Sequence, residues 1–274
     1  MFAAFGSCFT APVRKRKEIP VALTIAGSDS GGGAGAQADV KAFTALGVHG
    51  TCALTCLTAQ NPRRVTGIEA CSPKMLRAQL EAVLAELPPR AAKTGMLFSA
   101  ALIHEVARAW RGCPCPLVVD PVMVATSGAQ LLPPDAIRAL TEKLFPLAAL
   151  ITPNIPEAET LLGMTIQSPE ELRAAARRLH ARFGVAALVK GGHLRGGRES
   201  VDIFFDGVNE WLLSSPRVSG VKTHGTGCTF SAAIAAHLAR GEKLPRAVEL
   251  GKGYVTNAIR NTRRAGAHDV LGPG

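Results

Sequence analysis

Apolar residues along this chain come in short runs separated by segments with helical spacing. The runs at 21–26 (VALTIA), 48–58, 91–96, 117–120 (LVVD), 148–151 (AALI) and 185–190 (VAALVK) read as buried strands, several too short to alternate. Between them, residues 36–46, 73–86, 99–110, 134–144, 156–162 and 169–182 repeat their apolar positions with the period of a helix, and Ser72-Pro73 and Ser168-Pro169 open two of these segments. Such alternation predicts an α/β fold, a mostly parallel central sheet with helices on both faces. Ligands of such sheets gather at the carboxyl ends of the strands.

From about residue 200 the rhythm changes. SVDIFFDGVNEWLL contains two alternating segments joined by Asp206-Gly207, which predicts a hairpin, and two long helices follow at 226–240 and 245–262. No linker, repeat or low-complexity stretch interrupts 20–265. Residues 20–274 are therefore expected to form one domain, preceded by a disordered extension over 1–19.

Composition narrows the function classes. Hydrophobic residues make up 47% and charged residues 19%, which excludes a mainly disordered chain, and no uncharged apolar run reaches the roughly 18 residues of a membrane span. A net charge of +10 raises nucleic-acid binding, but residues 1–20 carry +3 of it through Arg14, Lys15, Arg16 and Lys17 against Glu18. The rest is spread over helical faces (Arg173, Arg177, Arg178; Arg260, Arg263, Arg264), and one Tyr and two Trp offer little to stack on bases. A solvated surface with a general attraction for anions is expected, without nucleic-acid or membrane partners. Seven cysteines without a paired CxxC, with Cys52 and Cys56 inside an apolar run, suit a reducing cytoplasm. The opening segment places its charges after a short apolar stretch, unlike a secretion signal.

Five loops carry candidate chemistry. In AGSDSGGGAGAQAD, Gly31, Gly33 and Ala36 satisfy G-x-G-x-x-G/A between a strand and a helix, the spacing of a dinucleotide loop. That fingerprint also wants an acid at the end of the second strand, where this chain has Gln60 and Asn61, and no Walker lysine follows the glycines. The phosphate site is better placed at HGTGC, where Gly225, Thr226, Gly227 and Cys228 lead into an alanine-rich amphipathic helix whose first N–H groups converge. A glycine turn with Thr226 as cap fits the same residues. Cys228, in the first turn, would have its thiolate favoured by the helix end.

The other three loops follow strands. Asp120 stands at a strand tip stopped by Pro121. Asn154 and Glu157 straddle a helix start, spaced to face a metal or water cluster or to form a capping box, readings that coexist. Lys190 and two glycines end a further strand, suited to phosphate contact or to a solvated turn. Strand-tip carboxylates, a lysine and an anion hole are the parts phosphoryl transfer requires.

Taken in order, AGSDSGGGAGAQAD, TAQN, KTGML, DPVM, TPNIPEAE, VKGGH and THGTGCTFSAA resemble the hydroxymethylpyrimidine/phosphomethylpyrimidine kinases of thiamine biosynthesis, from about residue 20 to 262. This resemblance implies a ribokinase-like three-layer α/β/α fold and a homodimer. It implies an ATP- and Mg²⁺-dependent enzyme that phosphorylates 4-amino-5-hydroxymethyl-2-methylpyrimidine and then its monophosphate. Gln60 would read the pyrimidine edge, Gly27, Gly35 and Asp39 would belong to the same pocket, and Met96 and Val122 would wall it. Asp120 and Glu157 would organise Mg²⁺, Asn154, Lys190 and Thr226 would serve ATP, and Gly225 to Cys228 would cradle the transferred charge. Cys228 occupies the position of a general base. Family members commonly carry a GxGxGP tail followed by histidine where this chain reads HDVLGPG, so contacts from that tail are expected to be reduced. A pyridoxal kinase of the same fold and a non-catalytic pyrimidine-binding relative are the alternatives.

Overall fold

The computed structural model describes residues 18–123, 132–192, 194, 198–218, 220–221 and 224–274. The extension expected over 1–19 lies almost wholly outside them, as do Thr223 and His193 of the motifs above.

A nine-stranded sheet forms the middle layer, in the spatial order β3-β2-β1-β4-β5-β6-β7-β8-β9. Its parallel body comprises β1 (Val21–Asp29), β2 (His49–Asn61), β4 (Ala91–Thr94), β5 (Leu117–Val119), β6 (Leu150–Ile151) and β7 (Ala186–Lys190). Antiparallel partners finish the edges: β3 (Arg64–Ala70) beside β2, then β8 (Glu199–Phe205) and β9 (Glu210–Pro216) beyond β7.

The chain moves outward from β1 to β2 and then returns to lay β4 on the other side of β1, so the strand order reverses there. Right-handed crossovers that run in opposite directions must place their helices on opposite faces. Accordingly α1 (Gly35–Ala45) packs on one face with α7 (Thr226–Ala239) and α8 (Leu244–Arg260), around Phe43, Val118, Ile234 and Val248. The other face carries α2 (Pro73–Glu86), α3 (Ala100–Trp110), α4 (Pro134–Ala139), α5 (Ile155–Leu162) and α6 (Pro169–Phe183), around Leu76, Ile103, Trp110, Phe145 and Leu179. This is the expected three-layer α/β/α architecture, and its switch point opens a crevice at the carboxyl ends of β1 and β4.

Several elements differ from the sequence reading. β2 continues to Asn61 and pairs with β3 because Asn61 Oδ1 accepts the N–H of Arg63 at 2.9 Å and of Arg64 at 3.1 Å, closing a turn at Asn-Pro. The segment expected as one helix over 134–144 becomes α4, a π turn over Leu140–Leu144 and a 3-10 turn over Phe145–Leu147, as Pro146 can supply no N–H to a continuing helix. The β8–β9 turn is held by Asp206 Oδ1, which accepts from Val208 and Asn209. Cys56 is buried as expected, whereas Cys52 is exposed. Helix α7 is not amphipathic: it is buried on nearly all sides from Thr229 to Ala239 because α1, α8 and the sheet surround it. A small antiparallel pair, β10 (Arg263–Ala265) and β11 (His268–Val270), follows α8.

Candidate active site

A cavity of about 560 Å³ opens at the carboxyl ends of the strands, within the size range of small-ligand sites. Its near end is built from the loop after β1. Asp29, only 3% exposed, turns its carboxylate into that loop and accepts N–H bonds from Gly31 at 2.8 Å, Gly33 at 3.1 Å and Ala34 at 2.8 Å. Burial acts against the Asp29 charge, yet His224 and these N–H donors outweigh it and hold its carboxyl below the ordinary value of 3.8. Gly35, at φ +58°, lets the chain enter α1 against the Gly27 carbonyl; a Cβ there would stand 2.3 Å from that oxygen. Gln60, Met96, Val122, Gly27 and Gly35 all line this end, joined by Thr58 and His224.

Asp39 does not line it. The carboxylate expected in the pyrimidine pocket is fully buried behind the wall, accepting from Thr24 Oγ1 at 2.6 Å and from Lys93 Nζ at 2.7 and 2.9 Å. Burial opposes the Lys93 ammonium, but Asp39, Cys228 and Asp120 together carry its pKa above the ordinary range. Lys93 does reach the cavity wall, so Asp39 acts on the site by keeping that lysine charged and in place.

The far end gathers the charged groups. Asp120, at the tip of β5, bonds Lys190 Nζ at 2.7 Å and Thr152 Oγ1 at 3.1 Å through Oδ1, and Ser231 Oγ at 3.2 Å through Oδ2. Asn154 and Glu157 form a capping box at the start of α5: Glu157 N donates to Asn154 Oδ1 at 2.9 Å and Asn154 N to Glu157 Oε2 at 2.8 Å. Glu157 still faces the cavity. Burial lifts its pKa to about 7, with Lys190 and the N–H groups of Asn154 and Met123 opposing and Asp120 pushing the same way. Beyond them Lys252 bonds Asp202 Oδ2 at 2.8 Å and the Ser200 carbonyl at 3.1 Å, extending the polar lining.

Between the two ends lies the start of α7. Gly225 caps it at φ +84°, a backbone that disfavours any side chain, and a Cβ there would lie 1.8 Å from the Gly33 carbonyl. The two glycine loops thus touch through bare backbone. No side chain among the described residues caps α7, and Thr226, Gly227 and Cys228 face the cavity. Lys190 Nζ lies beside Gly227, 3.3 Å from where a Cβ would project. The Cys228 thiol does not behave as the helix end alone would dictate: burial pushes its pKa up, Asp39 and Asp120 add to this, and Lys93 with the Gly35 N–H counteracts it.

Two buried carboxylates, Asp120 and Glu157, in the same cavity as the uncapped start of α7 fit Mg²⁺, which keeps most of its waters and takes one or two carboxylates together with substrate phosphates. Among the described residues no cluster of three or more His, Cys, Asp or Glu stands ready to enclose a metal. No helix among the described residues is long and apolar enough to cross a membrane.

Sequence reasoning missed Asp29, Lys93, His224, Thr58, Asp202 and Lys252. The first four sat inside quoted motifs, but nothing in the spacing says that Asp29 folds back into its own loop.

The sequence model of a family described as phosphomethylpyrimidine kinase matches residues 29–272. A thiamine biosynthesis bifunctional protein of Geobacter sulfurreducens is 52% identical over 87% of this chain, which spans about half (49%) of that longer protein. A hydroxymethylpyrimidine/phosphomethylpyrimidine kinase of Synechococcus elongatus is 46% identical, over 90% of this chain and 94% of its own. Among solved structures, the ADP complex of Bacillus subtilis pyridoxal kinase superposes with a TM-score of 0.85 at 36% identity, covering 93% of this chain and 97% of the other.

Proposed function

The chain belongs to the phosphomethylpyrimidine kinase family and is thus a phosphotransferase of thiamine biosynthesis, and we propose that its cavity binds the aminopyrimidine at the Gln60 end and ATP phosphates at the α7 end. The observation that carries this reading is the division of one cavity into a carboxamide-lined pocket and an uncapped helix N-terminus flanked by Lys190, Asp120 and Glu157. Gln60 supplies both donor and acceptor, which suits a ring nitrogen beside an exocyclic amine. Met96 and Val122 wall the ring.

In the first transfer, the substrate hydroxyl oxygen bonds the terminal phosphorus of ATP as the bond from that phosphorus to ADP breaks and ADP leaves, while Cys228, as the thiolate, takes up the hydroxyl proton. Lys93, next to the thiol, works against the burial that raises its pKa without cancelling it, so the proton is accepted by a minority thiolate form. The N–H groups at 225–228 and Lys190 hold the charge that spreads over the transferred oxygens. Mg²⁺, held by Asp120 and Glu157 through water, would neutralise phosphate charge. In the second transfer the nucleophile is a phosphate oxygen that has already lost its proton, so positioning by the same N–H groups dominates.

The six cysteines of the described residues are free, in keeping with a cytoplasmic setting, and the exposed β2–β3 hairpin, with Leu57 on one of its faces and Ile68 on the other, offers a contact for a second copy. The relative at 46% identity over 90% of the chain is named for the pyrimidine reaction and the one at 52% for thiamine biosynthesis, while the pyridoxal kinase stands at 36%. Steady-state kinetics with ATP and each of hydroxymethylpyrimidine, its monophosphate and pyridoxal test the reading. Higher kcat/KM for both pyrimidines is expected; a higher value for pyridoxal would overturn it.

A further inference from the structure

The His224 ring stands where three elements meet, and none of the roles above uses it. Its Nε2 lies 3.0 Å from the Gln60 amide at the tip of β2 and 3.4 Å from Asp29 Oδ2 in the first glycine loop. His224 itself immediately precedes Gly225, the cap of α7. Its side chain is 16% exposed, and its Cδ2 packs over Gly33.

Hydrogen counting decides how these groups pair. The Thr58 hydroxyl has one hydrogen, and it goes to the Ser28 carbonyl at 2.7 Å. Thr58 Oγ1 is then an acceptor, 3.2 Å from the other terminus of the Gln60 amide. With Gln60 Oε1 toward Thr58 and Nε2 toward His224, two acceptors meet at Thr58. His224 Nε2 must then offer a lone pair to Gln60, and that lone pair also faces the Asp29 carboxylate. Turning the amide over removes both conflicts. Gln60 Nε2 donates to Thr58 Oγ1, and His224 Nε2–H is shared between Gln60 Oε1 and Asp29 Oδ2. The oxygen and nitrogen of a side-chain amide are assigned by such bookkeeping.

We propose that His224 is a positioning residue whose Nε2–H, together with Thr58, fixes the Gln60 amide in one of its two senses and so sets which pyrimidine edge the pocket accepts. The proposal rests on the reading of Gln60 as the group that meets the substrate ring. An amide in one fixed sense pairs with the amine and ring nitrogen of a 4-aminopyrimidine and opposes a 4-oxo analogue, whose donor and acceptor are exchanged; an amide free to rotate serves both.

The test compares kcat and KM for the 4-amino and 4-oxo pyrimidine alcohols in the wild-type chain, His224→Phe and His224→Gln. Glutamine retains an Nε2–H near the place of the histidine one. In His224→Phe the preference for the amine is expected to fall about tenfold, the worth of one hydrogen bond, through a higher KM at nearly constant kcat. His224→Gln is expected to restore it. An unchanged preference in His224→Phe, or a loss confined to kcat, would overturn the proposal. A long-range proton–nitrogen correlation spectrum of the labelled wild-type chain gives a second readout that needs no variant to fold: His224 Nε2 is expected to carry the hydrogen, and an unprotonated Nε2 would contradict the pairing. Should the wild-type chain show no preference for the amine, the substrate reading of Gln60 fails, while the spectrum still decides the His224 pairing.

Discussion

Two glycine-rich loops lead into helices here, and the chain treats their amides in opposite ways. In the first, between β1 and α1, the N–H groups of Gly31, Gly33 and Ala34 point at the Asp29 carboxylate, and Gly35 N–H points at the Cys228 sulfur. The loop is filled by its own anion. In the second, ahead of α7, Gly225 turns into the helix with no side chain of the described residues capping it, and the N–H groups remain directed at the cavity. Glycine content is the same kind of signal in both; what separates them is whether the chain supplies the negative charge from within. The first loop superficially matches a dinucleotide fingerprint, and the internal carboxylate is the physical reason we assign the phosphate to the other loop.

The contact between the loops is the place where breaking the comparison costs most. Gly225→Ala would force a Cβ to 1.8 Å from the Gly33 carbonyl at a backbone angle of +84°, so both loops must move. Activity is expected to fall by about 10²-fold or more, as for other ångström-scale displacements of reacting groups, with a lower melting temperature. Wild-type kcat/KM in this variant would show the contact to be slack.

Next in size is Cys228→Ala, which removes the proposed proton acceptor and leaves the N–H groups at 225–228 in place. Kinetics with the two pyrimidine substrates measured separately should show the first phosphorylation reduced by about 10²-fold and the second much less. Equal losses in both would place the thiol outside proton transfer.

Asp29→Asn sharpens the contrast between the loops. An amide cannot accept three N–H bonds as a carboxylate does, so the first loop loosens directly while the second feels the change only through His224 and the Gly33–Gly225 contact. The KM for the pyrimidine should rise about tenfold with KM for ATP changing much less. An equal change in the ATP value would mean that the first loop does hold phosphate.

The smallest expected effect is the pH dependence of that same carboxylate. Because its folded pKa lies below 3.8, its contribution to stability is fully present above that value and is lost as pH falls through the lower folded value. Acid unfolding of wild type and Asp29→Asn should therefore differ by a constant amount above about pH 4 and converge below it.

Much of the fold was legible in the sequence, because buried parallel strands are short apolar runs and their covering helices keep a clear period. The β2–β3 hairpin was harder to read: RVTGIEA lies on an exposed edge, with too little burial to enforce alternation. Most of the chemistry-bearing residues could also be placed, since strand tips and helix starts converge at the switch point. Asp39 could not be, because a carboxylate on a helix beside a glycine loop looks the same whether it faces a ligand or a buried lysine. The pairing with Lys93 is 54 residues away in sequence and only the sheet brings it about. The environment of Cys228 was misread for a related reason: the helix end was visible, while the burial that opposes it comes from packing.

The central claim, that the first loop admits a ring and the second a phosphate, is tested most directly by a crystal structure with the aminopyrimidine alcohol and a non-hydrolysable ATP analogue bound together. The account predicts the ring over Gly27–Gly35 with its amine edge on Gln60, and the terminal phosphate within hydrogen-bond distance of the N–H groups at 225–228. Phosphate oxygens on the N–H groups of Gly31, Gly33 or Ala34, with Asp29 displaced from them, would contradict it.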